Sequence, residues 1–140
     1  MTQQHDAVVV VGHVPNPRGQ AALAHGIRES RQRGARLVVV NASRGDSLVD
    51  EDFLQGDALT RLHEELAGSG VSFEVRQPVH GRDVAEELAA VVAETSAELL
   101  VIGLRRRSAV GKLLMGSAAQ RILLEVDCPV LAVKSPPREG

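Results

Sequence analysis

The chain has 140 residues, of which 44% are apolar, and its only aromatic residues are two phenylalanines. A chain of this length is expected to fold as one domain, residues 1–140, around a core of valine, leucine, isoleucine and alanine. Sixteen basic against 18 acidic residues give a net charge of −2, which excludes a global attraction to nucleic acid or to an anionic membrane. The scarcity of aromatic rings also excludes platforms that stack nucleobases on side chains.

The cysteine content and the N-terminal sequence indicate the cellular compartment of the protein. Cys128 is the single cysteine and cannot form an internal disulfide, which is typical of a reducing compartment. The first residues are polar and lack the features of a signal peptide, and no window of the sequence reaches the length of a transmembrane helix. We therefore expect a cytoplasmic protein without a membrane partner.

Five apolar runs of strand length alternate with longer segments of helical periodicity, which is typical of βαβ units. The runs span residues 7–11, 37–40, 71–75, 99–102 and 130–133. The third run alternates apolar and polar residues, which predicts a strand at an edge or half exposed. The other four do not alternate, as expected for strands that helices cover on both faces.

Four helices are predicted between the strands. The first has Asn16 as its N-cap and Pro17 at its first position, and it ends near residue 33. The others are predicted at about 50–67, from residue 82 or 83 onward, and at 117–125. In the third helix Glu86, Glu87 and Glu94 are expected to face solvent, and in the fourth Ala118, Ile122 and Leu123 are expected to face inward. Right-handed crossovers then predict an α/β fold, a doubly wound five-stranded parallel sheet with helices on both faces.

Doubly wound sheets bind ligands outside the carboxyl ends of their strands, where the strand order reverses. The first strand is followed by Gly12 and His13, and the second by Asn41 and Ala42. His13 is expected either to contact a ligand or to pair with a backbone group, and the sequence leaves both alternatives open.

The loop after the fourth strand has the composition of a phosphate site. Gly103 and Gly116 would let the backbone approach an anion, and the helix that starts at Ser117 offers N–H groups and the positive end of its dipole. Arg105 and Arg106 add positive charge, although a solvated basic loop before an ordinary helix start would have the same composition. The segment matches neither the Walker A pattern nor the Rossmann glycine pattern.

The pattern Gly103-x2-Arg106-x9-Gly116-Ser117, followed by a helix and by Asp127-Cys128-Pro129-Val130, resembles the C-terminal signature of the universal stress protein family. The resemblance covers essentially the whole chain. It implies a sheet of order 3-2-1-4-5 with the adenine nucleotide alpha-hydrolase-like fold. It also implies a stress or signalling module that binds ATP or another adenine nucleotide, with Mg²⁺ if the nucleotide is bound.

The resemblance assigns phosphate and ribose contacts to Gly103, Gly116 and Ser117, with Ala118 as a further backbone donor. The complete set of expected nucleotide-binding residues is Gly12, His13, Asn41, Ala42, Gly103, Arg105, Arg106, Gly116, Ser117 and Ala118.

Three positions differ from the family pattern. Arg106 replaces a glycine and could either obstruct the phosphates or grip them. Val14 stands where an aspartate usually binds the ribose, and Ala42 stands where a valine packs on adenine. Because a lost charge-assisted hydrogen bond costs on the order of 1.5 to 3 kcal/mol, we expect the phosphates to supply most of the affinity.

The sequence has no nucleophile elbow, no metal-ligand spacing and no evident base beside the phosphate loop. We therefore assign no catalytic residue and no metal ligand, and expect weak ATP hydrolysis at most.

The last strand predicts a partner. Val130, Leu131, Ala132 and Val133 form an apolar run that is expected at a sheet edge, and pairing with a second copy would cover that edge. We expect a homodimer, which the resemblance also implies. The alternative function is a dimeric interaction protein of the same fold that binds no nucleotide.

Overall fold

The computed structural model describes residues 7–14, 17–41, 56–77, 83–104 and 116–134. The elements follow one another as β1 (Val8–His13), α1 (Pro17–Arg33), β2 (Arg36–Asn41), α2 (Gly56–Ala67), β3 (Phe73–Arg76), α3 (Val84–Thr95), β4 (Leu99–Leu104), α4 (Ser117–Glu125) and β5 (Val130–Lys134). Strands and helices alternate along the described residues, as the periodicity predicts.

The five strands form one parallel sheet in the order β3-β2-β1-β4-β5. This confirms the predicted fold class and strand order. The third strand lies at an edge and is half-buried along its length, as its alternating sequence predicts, and β5 forms the other edge.

Side chains alternate between the two faces of each strand, so the sheet separates two apolar clusters. Val8 and Val10 of β1 lie in the cluster that contains Leu88 of α3 and Ile122 of α4. Val9 and Val11 lie in the opposite cluster, which contains residues of α1 and α2. The central strands are therefore covered on both faces, and polar groups reach the sheet mainly at the strand ends.

The third strand begins at Phe73, two residues later than predicted. Gly70 adopts a positive φ of 84°, and the N–H of Val71 donates to Ser69 Oγ across 3.3 Å. The backbone of Val71 is thus engaged in the turn, and the first hydrogen bond to β2 runs from Leu37 N–H to Ser72 O at 2.9 Å. The predicted first residues of two helices lie outside the described residues. They are Asn16, the predicted N-cap of α1, and residues 50–55 of the second predicted helix.

The helix α3 begins at Val84, within two residues of the predicted start at residue 82 or 83, and Asp83 is its N-cap in a capping box that Glu86 completes. The prediction that Glu87 faces solvent is wrong, because that residue is only 5% exposed.

For α4, Ile122 is buried as predicted, but Ala118 and Leu123 are exposed. The reason is that α4 packs mainly against α3. A neighbouring helix buries a narrower face of α4 than a sheet would bury. Across the described ranges, no helix has both the length and the apolar composition needed to cross a membrane.

Candidate functional site

Because all five strands are parallel, their carboxyl ends meet at one edge of the sheet, and the crossover helices begin beside that edge. His13 at the end of β1 is the register partner of Asn41 at the end of β2. On the other side, β4 pairs with β1 through Val101 and Val11, so Gly103 lies two residues beyond that pair. The fold therefore brings the predicted residues of β1, β2 and β4 together at one edge.

His13 is 1% exposed, and its Nδ1 lies 3.2 Å from the carbonyl oxygen of Gly19. A carbonyl oxygen can only accept a hydrogen bond, so Nδ1 carries the proton and Nε2 is the acceptor of the neutral ring. Burial lowers the pKa of His13 below its usual 6.5, and the hydrogen bond to Gly19 opposes that shift. The alternative in which His13 pairs with a backbone group is confirmed.

The turn from β1 into α1 is closed by backbone contact. A Cβ at Gly19 would lie 1.7 Å from the carbonyl oxygen of Val14, so only glycine fits there. The side chain of Val14 is buried at 7% exposure and offers an apolar group where the family pattern has a carboxylate.

Asn41 is fully buried at the end of β2, and its Nδ2 donates to Gln77 Oε1 across 2.9 Å. Gln77 follows β3 directly and is exposed. Sequence reasoning missed Gln77, because its placement beside Asn41 depends on the β2–β3 register, in which Val40 is opposite Arg76. The residue after Asn41, the predicted site residue Ala42, lies outside the described residues.

Two of the predicted site glycines lie close to neighbouring elements, and the approach is tight enough to exclude a side chain at Gly103. A Cβ at Gly12 would lie 3.2 Å from Leu88 Cδ1 of α3, and a Cβ at Gly103 would lie 2.2 Å from the carbonyl oxygen of Arg18 in α1. Gly103 thus lets the first turn of α1 rest directly on β4. The predicted phosphate ligands Arg105 and Arg106 lie outside the described residues.

The N-terminus of α4 is not covered by any other described part of the chain. Gly116 caps the helix with extended backbone (φ −72°, ψ 166°) and no side-chain hydrogen bond, and a Cβ on Gly116 would meet no atom of the described residues within 4 Å. Ser117 and Ala118 are exposed. The first N–H groups of a helix lack an intrahelical acceptor and carry the positive end of the dipole, so this turn can hold an anion.

The N-terminus of α3, by contrast, is closed by its own side chains. The carboxylate of Asp83 accepts a hydrogen bond from the Glu86 N–H at 2.9 Å and another from the guanidinium of Arg121 in α4. These hydrogen bonds, first the one from Glu86 and then the one from Arg121, lower the pKa of Asp83. Arg121 also pairs with Glu125 at 2.9 Å. An anion at this edge is therefore favoured at α4 and disfavoured at α3, where a carboxylate already stands.

This geometry defines a doubly wound α/β protein whose strand-end edge combines a helix N-terminus without a side-chain cap with neutral polar side chains. The model of the Universal stress protein family matches residues 6–134. A universal stress protein of Mycolicibacterium smegmatis is 50% identical over 127 residues, which cover 91% of this chain and 97% of that protein. The chain belongs to the universal stress protein family.

Solved structures share the fold, which is adenine nucleotide alpha-hydrolase-like. A universal stress protein of Archaeoglobus fulgidus in complex with dAMP superposes with a TM-score of 0.62 at 22% identity, covering 93% of this chain and 98% of that one. A universal stress protein in complex with cAMP gives a TM-score of 0.67 at 21% identity, covering 95% and 100% of the two chains. At these identities the similarity establishes the architecture alone.

Proposed function

We propose that this protein binds an adenine nucleotide at the carboxyl edge of its sheet and acts as a stress or signalling module. The observation that carries the proposal is the first turn of α4, where a Cβ on Gly116 would meet no described atom within 4 Å and Ser117 and Ala118 are exposed. Membership of the family supports it, as do the two proteins of this fold that are complexed with dAMP and cAMP. ATP with Mg²⁺ is the physiological candidate.

In this proposal the phosphates lie against the first turn of α4. The N–H groups of Ser117 and Ala118 donate to phosphate oxygens, and the Ser117 hydroxyl adds a further donor. Arg105 and Arg106, which precede Gly116 in the sequence, supply compensating positive charge. The base and the ribose lie along the ends of β1 and β2, beside Gly12, His13, Asn41 and Ala42.

The ribose side of the site is weaker than the phosphate side. Val14 is buried and apolar and cannot accept a hydrogen bond through its side chain. A charge-assisted hydrogen bond contributes about 1.5 to 3 kcal/mol, so its absence lowers the affinity about ten- to hundred-fold and shifts the main contribution to the phosphates. We therefore expect ATP to bind more tightly than adenosine.

Isothermal titration with ATP and Mg²⁺ tests the proposal. The wild-type protein should bind, and Gly116→Val should not, because the branched side chain fills the open space at the cap. Gly68→Val is the matched control, since a Cβ at Gly68 meets no atom closer than 3.6 Å and Gly68 follows α2 at the opposite edge of the sheet. Absence of binding heat at millimolar ATP would reject the proposal.

We also propose that two copies pair through β5. This strand is the sheet edge beyond β4, and Val130, Leu131 and Ala132 are only partly buried there. On the adjoining helix, Leu124 is 84% exposed. Isologous pairing would cover this edge, and light scattering at micromolar concentration should give twice the 14.9 kDa chain mass. A dimer that binds no nucleotide would favour the alternative function, an interaction protein of the same fold.

A further inference from the structure

Three polar side chains lie side by side at the carboxyl ends of neighbouring strands. They are His13 of β1, Asn41 of β2 and Gln77 directly after β3, and we name them the polar row. His13 and Asn41 are register partners, and Asn41 is hydrogen-bonded to Gln77.

The polar row interrupts an apolar pattern. The residues that precede it on the same face of the sheet are Val9 and Val11, Leu37 and Val39, and Phe73 and Val75, all within or packed on one hydrophobic cluster. Burying an amide or an imidazole costs free energy unless its hydrogen bonds are replaced, whereas another valine at each position would continue the cluster. This rule is broken at the two buried positions, His13 and Asn41, and they lie at the edge where this fold class binds ligands, which indicates function.

The chemistry of the row suits a nucleobase and not a phosphate. The row carries no charge at neutral pH, because burial lowers the pKa of His13 below 6.5 and the other two side chains are amides. Its exposed member is Gln77, so the Gln77 amide is the group that a base can reach. Strands lie about 4.8 Å apart, so the end of β3 is roughly 14 Å from the end of β4. A nucleotide laid along the edge with its phosphates at α4 directs its base toward Gln77.

The orientation of the Gln77 amide follows from its partner. Asn41 donates through Nδ2, so the atom of Gln77 that faces it is Oε1. The Oε1 atom keeps a second lone pair, and Nε2 carries two N–H groups. With Oε1 hydrogen-bonded to Asn41, the exposed amide of Gln77 presents one acceptor beside one donor, which is the arrangement that pairs with N6 and N7 of adenine.

We propose that Gln77 determines the base specificity of the nucleotide site, with Oε1 accepting from the adenine 6-amino group and Nε2 donating to N7. Asn41 is the positioning residue that sets the direction of the amide. This inference rests on the proposed function, which it deepens. Hypoxanthine and guanine carry an oxygen at position 6, and that oxygen would face Gln77 Oε1 without a proton between them.

Isothermal titration of the wild-type protein with AMP and with IMP tests the inference, because these ligands differ at position 6 and share the same phosphate. We expect AMP to bind about 5- to 150-fold more tightly, the range that one bidentate pair supplies. Gln77→Ala should bring the ratio of the two dissociation constants close to one. Gln77→Arg should favour IMP, because a guanidinium donates to both O6 and N7.

The matched control is Gln20→Arg, which makes the same substitution at an exposed position of α1, off the polar row. Its added charge should raise the affinity for both nucleotides alike and leave their ratio unchanged. Gln77 is exposed, so we expect its variants to fold, and thermal unfolding verifies this.

The outcomes separate the two proposals. If both nucleotides bind but the wild-type ratio is close to one, or if Gln77→Arg leaves the ratio unchanged, Gln77 does not determine specificity and the nucleotide-binding proposal stands. If neither nucleotide binds, nor ATP with Mg²⁺, the proposed function fails and the specificity proposal falls with it.

Discussion

Gly103→Ala tests whether this glycine is required for packing. A Cβ at residue 103 would lie 2.2 Å from the carbonyl oxygen of Arg18, 2.8 Å from the carbonyl carbon and 3.1 Å from its Cβ. The distance to the carbonyl oxygen is shorter than an ordinary non-bonded contact, which is about 3.5 Å, by more than roughly 1 Å. The nearest atoms belong to helix backbone, so the first turn of α1 has to move away from β4 as a unit. Overpacking of this kind typically costs about 1–3 kcal/mol.

Urea unfolding at neutral pH measures this cost. We expect the free energy of unfolding of Gly103→Ala to fall by about 1–3 kcal/mol, with a lower midpoint and an unchanged m-value. Gly68→Ala is the control, because its Cβ meets no atom closer than 3.6 Å, and its stability should stay within about 0.5 kcal/mol of the wild type. If Gly103→Ala is as stable as the control but no longer binds ATP, the packing argument is refuted and Gly103 serves the ligand instead.

Three further predictions address the site, the histidine and the strand edge. Ser117→Asp should leave α4 at least as stable, because a carboxylate suits a helix N-terminus by about 0.3–1 kcal/mol. It should also weaken ATP binding by roughly 1 to 4 kcal/mol through repulsion of the phosphate; unchanged affinity in calorimetry would contradict the site. His13→Asn keeps a donor for Gly19 O and removes the titration. Because the pKa of His13 is lowered from 6.5 in the folded protein, the unfolded chain binds more protons than the folded one as the pH drops below 6.5. The free energy of unfolding of the wild type should therefore decrease with falling pH, relative to the variant, by at most about 1.4 kcal/mol per pH unit. Parallel pH profiles in urea unfolding would refute this. Ala132→Pro should give a 14.9 kDa monomer in light scattering. The carbonyl of Pro129 accepts from the Leu100 N–H of β4, and backbone groups alternate sides along a strand, so the N–H of residue 132 faces the free edge and proline removes it. A persistent dimer would mean that the two copies meet through another surface.

The parts of the fold that follow from sequence are those in which local pattern and burial agree. Residues of β1, β2 and β4 form uninterrupted apolar runs, and all three strands are covered on both faces. The Asp83 cap was predictable too, because an aspartate followed three residues later by a glutamate satisfies the capping box within one turn.

Other features depend on contacts between distant segments. The β2–β3 register places Gln77 beside Asn41, and a register depends on how the apolar faces of both strands match, not on one strand alone. The exposure of Leu123 arises because α4 rests mainly on α3, which helical periodicity does not reveal. For Gly103 the sequence alone does not distinguish two reasons for a glycine. Close approach of a phosphate and contact with the Arg18 carbonyl both require the absence of a Cβ.

The most direct test of nucleotide binding at α4 is an NMR titration of the ¹⁵N-labelled protein with AMP, followed at assigned backbone amides. The proposed site predicts saturable shifts at Gly116, Ser117 and Ala118, because their N–H groups lie at or beside the phosphate. The amide of Gly68, at the opposite edge of the sheet, should not shift. Saturation without change in the first turn of α4, or no saturable change at any amide, would contradict the central claim.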